Sequence, residues 1–188
     1  MEDVGIPYII HISGRKSDIM ASRIKNTGKH WEWKFCRMIN DNYPNKAFTW
    51  HIGGSAPGFD ALIFKGGHDG QWQYVIPIEI KSFKKPKKNY TAQVLDQYLR
   101  YMKLYNENGI LTFYALRHKG ISRGEEEIDK WRLIPCTCIL YAKTRNKTMS
   151  LDYNWKEAMP LRRAMQIIMG THKAKKTELK KWKWLVRE

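Results

Sequence analysis

The sequence predicts an α/β fold: a central mixed β-sheet flanked by helices, with a basic helical extension at the C-terminal end. Three observations predict it. Patterned segments follow the order helix, three strands, helix, two strands. Two segments repeat apolar residues at helical spacing, while those between them are short, apolar and β-branched. The region after about residue 154 is rich in lysine and reads as helix.

Residues 1–22 read as an N-terminal extension, with a strand-like run at Tyr8–Ile12 and a turn at Gly14-Arg15-Lys16. A helix is predicted from about Gly28 to Asn40, because Trp31, Phe35, Met38 and Ile39 fall on one stripe. Asn42-Tyr43-Pro44-Asn45 ends it with turn chemistry. Phe48–Ile52 reads as a strand and Gly53–Gly58 as a glycine-rich loop. Asp60–Phe64 is a second strand, residues 66–70 a hairpin turn, and Gln73–Lys81 a third strand. Lys84–Tyr90 reads as a basic loop, and Thr91–Asn106 as a helix whose apolar side carries Val94, Leu95, Tyr98, Tyr101, Met102 and Tyr105. Ile110–Leu116 and Trp131–Tyr141 complete the strands. The expected organisation is a core at 23–142 and a mainly helical, basic extension at 143–188.

Lys and Arg total 34 against 18 Asp and Glu, a net charge of +16, and such an excess points to a polyanionic partner. Three cysteines, Cys36, Cys136 and Cys138, make no paired framework and suit a reducing compartment. Free thiols in a core are a more economical reading than a zinc site with Cys36 or His118, since paired ligand spacing is missing. No stretch approaches the roughly 18 apolar residues of a membrane span, and the acidic start is not that of a signal peptide. A soluble, cytoplasmic protein is expected.

Acidic residues are scarce, so those within apolar strands stand out. In Ile76–Lys81 the isoleucines share one face, while Glu79 and Lys81 share the other, about 7 Å apart. Burying an acid and an ammonium costs free energy unless they have partners or a purpose. The 66–70 turn centres near residue 70, so antiparallel pairing brings Asp60 opposite the Glu79–Lys81 stretch. Two carboxylates converging there make a hard oxygen site suited to Mg²⁺ or Mn²⁺, with the Ile80 backbone carbonyl as a third donor. Lys81 would orient a water or hydroxide beside a phosphodiester. Alternatively, Glu79 and Lys81 are a solvated pair on a sheet edge. Glu32 on the first helix either reaches the metal or pairs with Lys29, and Ser55 in the glycine loop either contacts phosphate or serves the turn.

Together these residues resemble the PD-(D/E)XK nuclease superfamily, and most closely the archaeal Holliday junction resolvases with their virus-encoded relatives. The matching features are Gly28 to Glu32 on the first helix, Gly54-Ser55 before Asp60, and Ile78-Glu79-Ile80-Lys81-Ser82. Gln93 at the next helix and Trp131-Arg132-Leu133-Ile134 on a late strand complete them. The resemblance covers about residues 23–142. It implies a restriction-endonuclease-like core, Mg²⁺ or Mn²⁺ held by Asp60 and Glu79, and a catalytic Lys81. It also implies assisting roles for Glu32, Ser55 and Gln93, a branched DNA substrate, and a homodimer. Phe59 stands where proline often precedes the aspartate, and the segments 1–22 and 143–188 have no counterpart. Gln97-x-x-x-Tyr101 also matches RecB-like nucleases, or is an ordinary helical pair.

The remaining nucleic-acid candidates are Lys84, Lys85, Lys87 and Lys88 after the third strand, and Lys175, Lys176, Lys180 and Lys181 in the tail. There Trp182 and Trp184 either stack on bases or pack on the body. The expected activity is a metal-dependent DNA endonuclease. The alternatives are a RecB-like or restriction- or repair-type nuclease on duplex or single strands, and a non-catalytic nucleic-acid-binding protein.

Overall fold

A computed structural model describes residues 28–52, 58–66, 72–84, 87–89, 92–120, 126–143 and 149–182. The expected N-terminal extension, Ser55, Lys85 and Trp184 lie outside the described residues, as do the side chains of Lys87, Lys88 and Gln93.

Helix α1 (Gly28–Asn42) carries its apolar stripe inward, burying Trp31, Phe35, Cys36, Met38 and Ile39. Strands β1 (Ala47–His51), β2 (Ala61–Gly66) and β3 (Trp72–Phe83) form an antiparallel meander. Helix α2 (Ala92–Asn108) then crosses over to β5 (Phe113–His118), which lies parallel to β3. Strand β6 (Trp131–Pro135) returns antiparallel to β5. The mixed sheet flanked by helices is therefore present, in the spatial order β1-β2-β3-β5-β6-β9, where β9 is Met159–Pro160.

The hairpin register is set by the alternation of its apolar residues. Ala61 pairs with Ile78 and Ile63 with Ile76, so Asp60, one residue before β2, falls opposite Glu79. A slip of one residue would turn Ile63, Ile76 and Ile78 out of the core, which fixes the pairing strongly.

Several elements differ from expectation. The supposed basic loop at 84–90 contains β4 (Lys87–Asn89), which pairs with β8 (Met149–Asp152). β8 also pairs with β7 (Leu140–Lys143), making a second, three-stranded sheet. The single strand expected over Trp131–Tyr141 is two. Pro135 ends β6, and Cys136–Cys138 form a 3-10 turn before β7, closed by the Ile139 N–H donating to the Cys136 carbonyl at 3.1 Å. A proline has no N–H to continue a ladder, and the turn redirects the chain. The C-terminal region does hold helices, α3 (Leu161–Ile168) and α4 (Lys176–Lys181), but β8 and β9 are strands.

The sheet separates two cores. One lies against α1 and α3, with Phe35, Ile39, Ile63, Ile78, Leu161, Met165 and Trp182. The other lies under α2 and holds Phe83, Tyr98, Tyr101, Tyr114, Leu151 and Tyr153. Each fully buried large apolar side chain contributes about 1.5–3 kcal/mol. Cys36 belongs to the first core and Cys136 to the second, and both are free thiols.

Candidate active site

Asp60 is held from both sides through its backbone. Its N–H donates to the Ile78 carbonyl at 3.0 Å, and its carbonyl accepts from the Ile52 N–H at 3.0 Å. Its side chain is fixed too, since Oδ2 accepts the Ile80 N–H at 2.7 Å. Ile80 has the same backbone orientation as Ile78, so its carbonyl also faces the edge where Asp60 sits.

Glu79 projects from the opposite face of β3, toward α2, and is wholly buried. Lys81 Nζ donates to its Oε1, and the Tyr101 hydroxyl to its Oε2 at 2.5 Å. Lys81 is held in turn by Gln97 Oε1 at 3.1 Å. The Tyr101 hydroxyl also lies 3.1 Å from the Gly58 carbonyl. A hydroxyl has one proton to give. When Glu79 is ionised the proton goes to the shorter contact, and when Glu79 carries its own proton it is free for Gly58.

Burial pushes the Glu79 carboxyl up to about 7, and the Asp60 carboxylate adds to the rise, while Lys81 and Tyr101 oppose it. Desolvation therefore outweighs the attached ammonium. Burial, with Glu79 beside it, raises the Tyr101 phenol as well, so it is a hydrogen-bond donor and not a base. Cys36 lies beneath the site. Burial, and then Glu32 and Asp60, push its thiol up to about 12.

Glu32 sits on the first turns of α1, and its Oε2 is 2.8 Å from His51 Nε2 at the end of β1. Its partner is thus His51, not Lys29. These elements enclose a cleft of ≈ 430 Å³ whose wall includes Glu32, Asp60, Glu79, Lys81, Arg100 and Lys119. Trp31 and Ser82 also line it, and each carries a buried polar atom without a partner among the described residues.

The predicted residues therefore separate. Asp60, Glu79, Lys81, Ile80 and Glu32 meet at one cleft. Gln93 stands in the first turn of α2. Lys84 is exposed just after β3, and Lys175, Lys176, Lys180 and Lys181 are exposed on or beside α4. Trp182, however, is 8% exposed and packs in the α1-side core, so it is no stacking platform. Sequence reasoning missed His51, Arg100 and Lys119. It also left the pair Gln97 and Tyr101 undecided, although the place of Tyr101 on an apolar stripe was a signal: a buried phenol needs a partner.

The donor set at Asp60, Glu79 and the Ile80 carbonyl is all oxygen, with Asp60 close enough to raise the proton affinity of Glu79. It fits a small hard cation, which uses one or two carboxylates and fills its other positions with water or phosphate oxygen. Among the described residues no group of three or more His, Cys, Asp or Glu gathers as ligands. No described helix is long and apolar enough to cross a membrane.

No protein family and no curated protein matches the chain. Among solved structures, it is similar to Hjc of Archaeoglobus fulgidus, a Holliday junction resolvase from an archaeal hyperthermophile, at 14% identity and a TM-score of 0.49, over 73% of this chain and 98% of that one.

Proposed function

We propose that the chain is an endodeoxyribonuclease dependent on Mg²⁺ or Mn²⁺, acting as a homodimer on branched DNA such as a four-way junction. One observation carries the reading. Asp60 and Glu79 meet across the β2–β3 hairpin, and Lys81 is bonded to the buried carboxylate.

Asp60 and Glu79, with the Ile80 carbonyl, would hold the cation, and Glu32 would assist from α1. When bound, the cation supplies an acidified water and positive charge against the phosphodiester. Lys81 orients the attacking oxygen and balances the phosphate, and Gln97 keeps the ammonium in place. Tyr101 and the 2.5 Å bond hold the Glu79 carboxylate from behind. Ser55 and Gln93 are assigned to the same site from the sequence resemblance.

The bonds from Lys81 to Gln97 and from Tyr101 to Glu79 favour a second reading, a RecB-like nuclease, because both members of Gln-x-x-x-Tyr engage the centre. Labelled four-way junction, linear duplex and single-stranded DNA, each with Mg²⁺, Mn²⁺ or EDTA, separate the readings. Symmetric paired nicks on the junction support the resolvase; resection from ends supports the RecB-like enzyme. Glu79→Ala and Asp60→Ala should each lose about 10³-fold or more in rate. No cutting in Mn²⁺ leaves a non-catalytic binder, and cutting that survives both substitutions overturns the mechanism.

A further inference from the structure

The cations around the cleft fall into two groups. Lys81 is committed to Glu79 and Gln97. Arg117, stacked at 3.6 Å on the Trp31 ring, is committed to Glu127, as is Lys34. Arg100 and Lys119 line the cleft, are exposed, and have no ionic partner among the described residues.

They also lie on opposite sides of the centre. Lys119 follows β5, one neighbour of β3, and its N–H donates to the Phe83 carbonyl at 2.9 Å. Asp60 precedes β2, the other neighbour. On α2, Gln97 and Tyr101 point down at the centre, and Tyr98 points to the side where Tyr141 lies, its ring centroid 6.1 Å away. Arg100, two residues after Tyr98, is turned about 200° from it and so faces the Asp60 side.

We infer that Arg100 and Lys119 grip the backbone phosphates on either side of the bond to be cleaved, so that one strand crosses the cleft from β2 to β5. This rests on the nuclease reading. It narrows the substrate to internal phosphodiesters, since a strand ending at the cut site would lose one of the two contacts.

The test is binding of labelled duplex and single-stranded DNA to the full chain in EDTA, across a salt series, with cutting measured separately in Mn²⁺. Arg100→Ala and Lys119→Ala should each reduce the log–log salt slope by about 0.9 on duplex or about 0.7 on single strands. Each should raise KM roughly ten-fold with kcat little changed. Arg100→Lys should restore the slope, and Arg37→Ala, which removes an exposed cation outside this cleft, should leave it unchanged. An unchanged slope in the double variant overturns the clamp, as does an equal fall in Arg37→Ala. If the wild type cuts nothing but the slopes fall as expected, the phosphate contacts of Arg100 and Lys119 stand and the nuclease reading fails. If it cuts and the slopes do not move, the clamp fails alone.

Discussion

The two faces of the central sheet are built from different chemistry. Against α1 and α3 the sheet presents Ile63, Ile76, Ile78 and Ile80 to other apolar side chains, Phe35, Ile39 and Met165 among them. Against α2 it presents Glu79 among Tyr98, Tyr101, Tyr114 and Tyr153. A carboxylate set among those isoleucines would lose its hydration with no cation bonded to it. In the second, a phenol and an ammonium reach it. The aliphatic face thus supplies stability, and the tyrosine face is where an unfavourable charge can be kept.

That division predicts separable effects. The largest is on the aliphatic side. Ile63 is wholly buried, so Ile63→Ala should cost about 2–5 kcal/mol of stability through lost burial and a cavity. The melting temperature should drop by several degrees or more. Cleavage per folded molecule, measured well below the transition, should stay near wild type. A loss of activity as steep as the loss of stability would break the comparison.

Next in size is the tyrosine face. Tyr101→Phe keeps the ring, which stacks on Phe59 with centroids 5.6 Å apart, and removes the hydroxyl shared between Glu79 and the Gly58 carbonyl. A hydrogen bond to a charged group is worth about 1.5–3 kcal/mol, so kcat should fall roughly ten- to a hundred-fold. The packing contribution remains, so the fold should persist. A variant with wild-type kcat would show that the phenol merely fills space.

The same division explains what could be read from the sequence. The isoleucines of β3 and the stripe of α1 announce their faces by period, and the symmetric placement of residues 60 and 80 about the turn announces the meeting of Asp60 with Glu79. Nothing periodic links Glu32 to His51, or Tyr101 to Glu79; those contacts join elements whose relative placement depends on the whole sheet. Lys87–Asn89 fails as a strand by composition because its partner, β8, supplies what the segment itself lacks. Arg100 and Lys119 look like any surface cation until the cleft between them is seen.

The smallest expected effect is also the one whose sign is most diagnostic. Glu79 binds a proton more tightly in the folded chain than at its ordinary value near 4.5, reaching about 7 because of burial. Between those values the folded state holds more protons than the unfolded one, so this group's contribution makes stability fall as pH rises from about 4.5 to about 7. Glu79→Gln keeps the shape and removes the titration. It loses the charge on Lys81's partner but also the cost of burying that charge, and with Glu79 raised by burial the balance at pH 8 favours the variant. Thermal melts over pH 4.5–8 should show the wild type losing stability relative to Glu79→Gln through that window. Mn²⁺ at pH 8 should then raise the melting temperature of the wild type and leave the variant nearly unmoved. A wild type that gains on the variant as pH rises would mean that Lys81 and Tyr101 more than offset the burial of Glu79. The tyrosine face would then stabilise the fold in the same way as the aliphatic one.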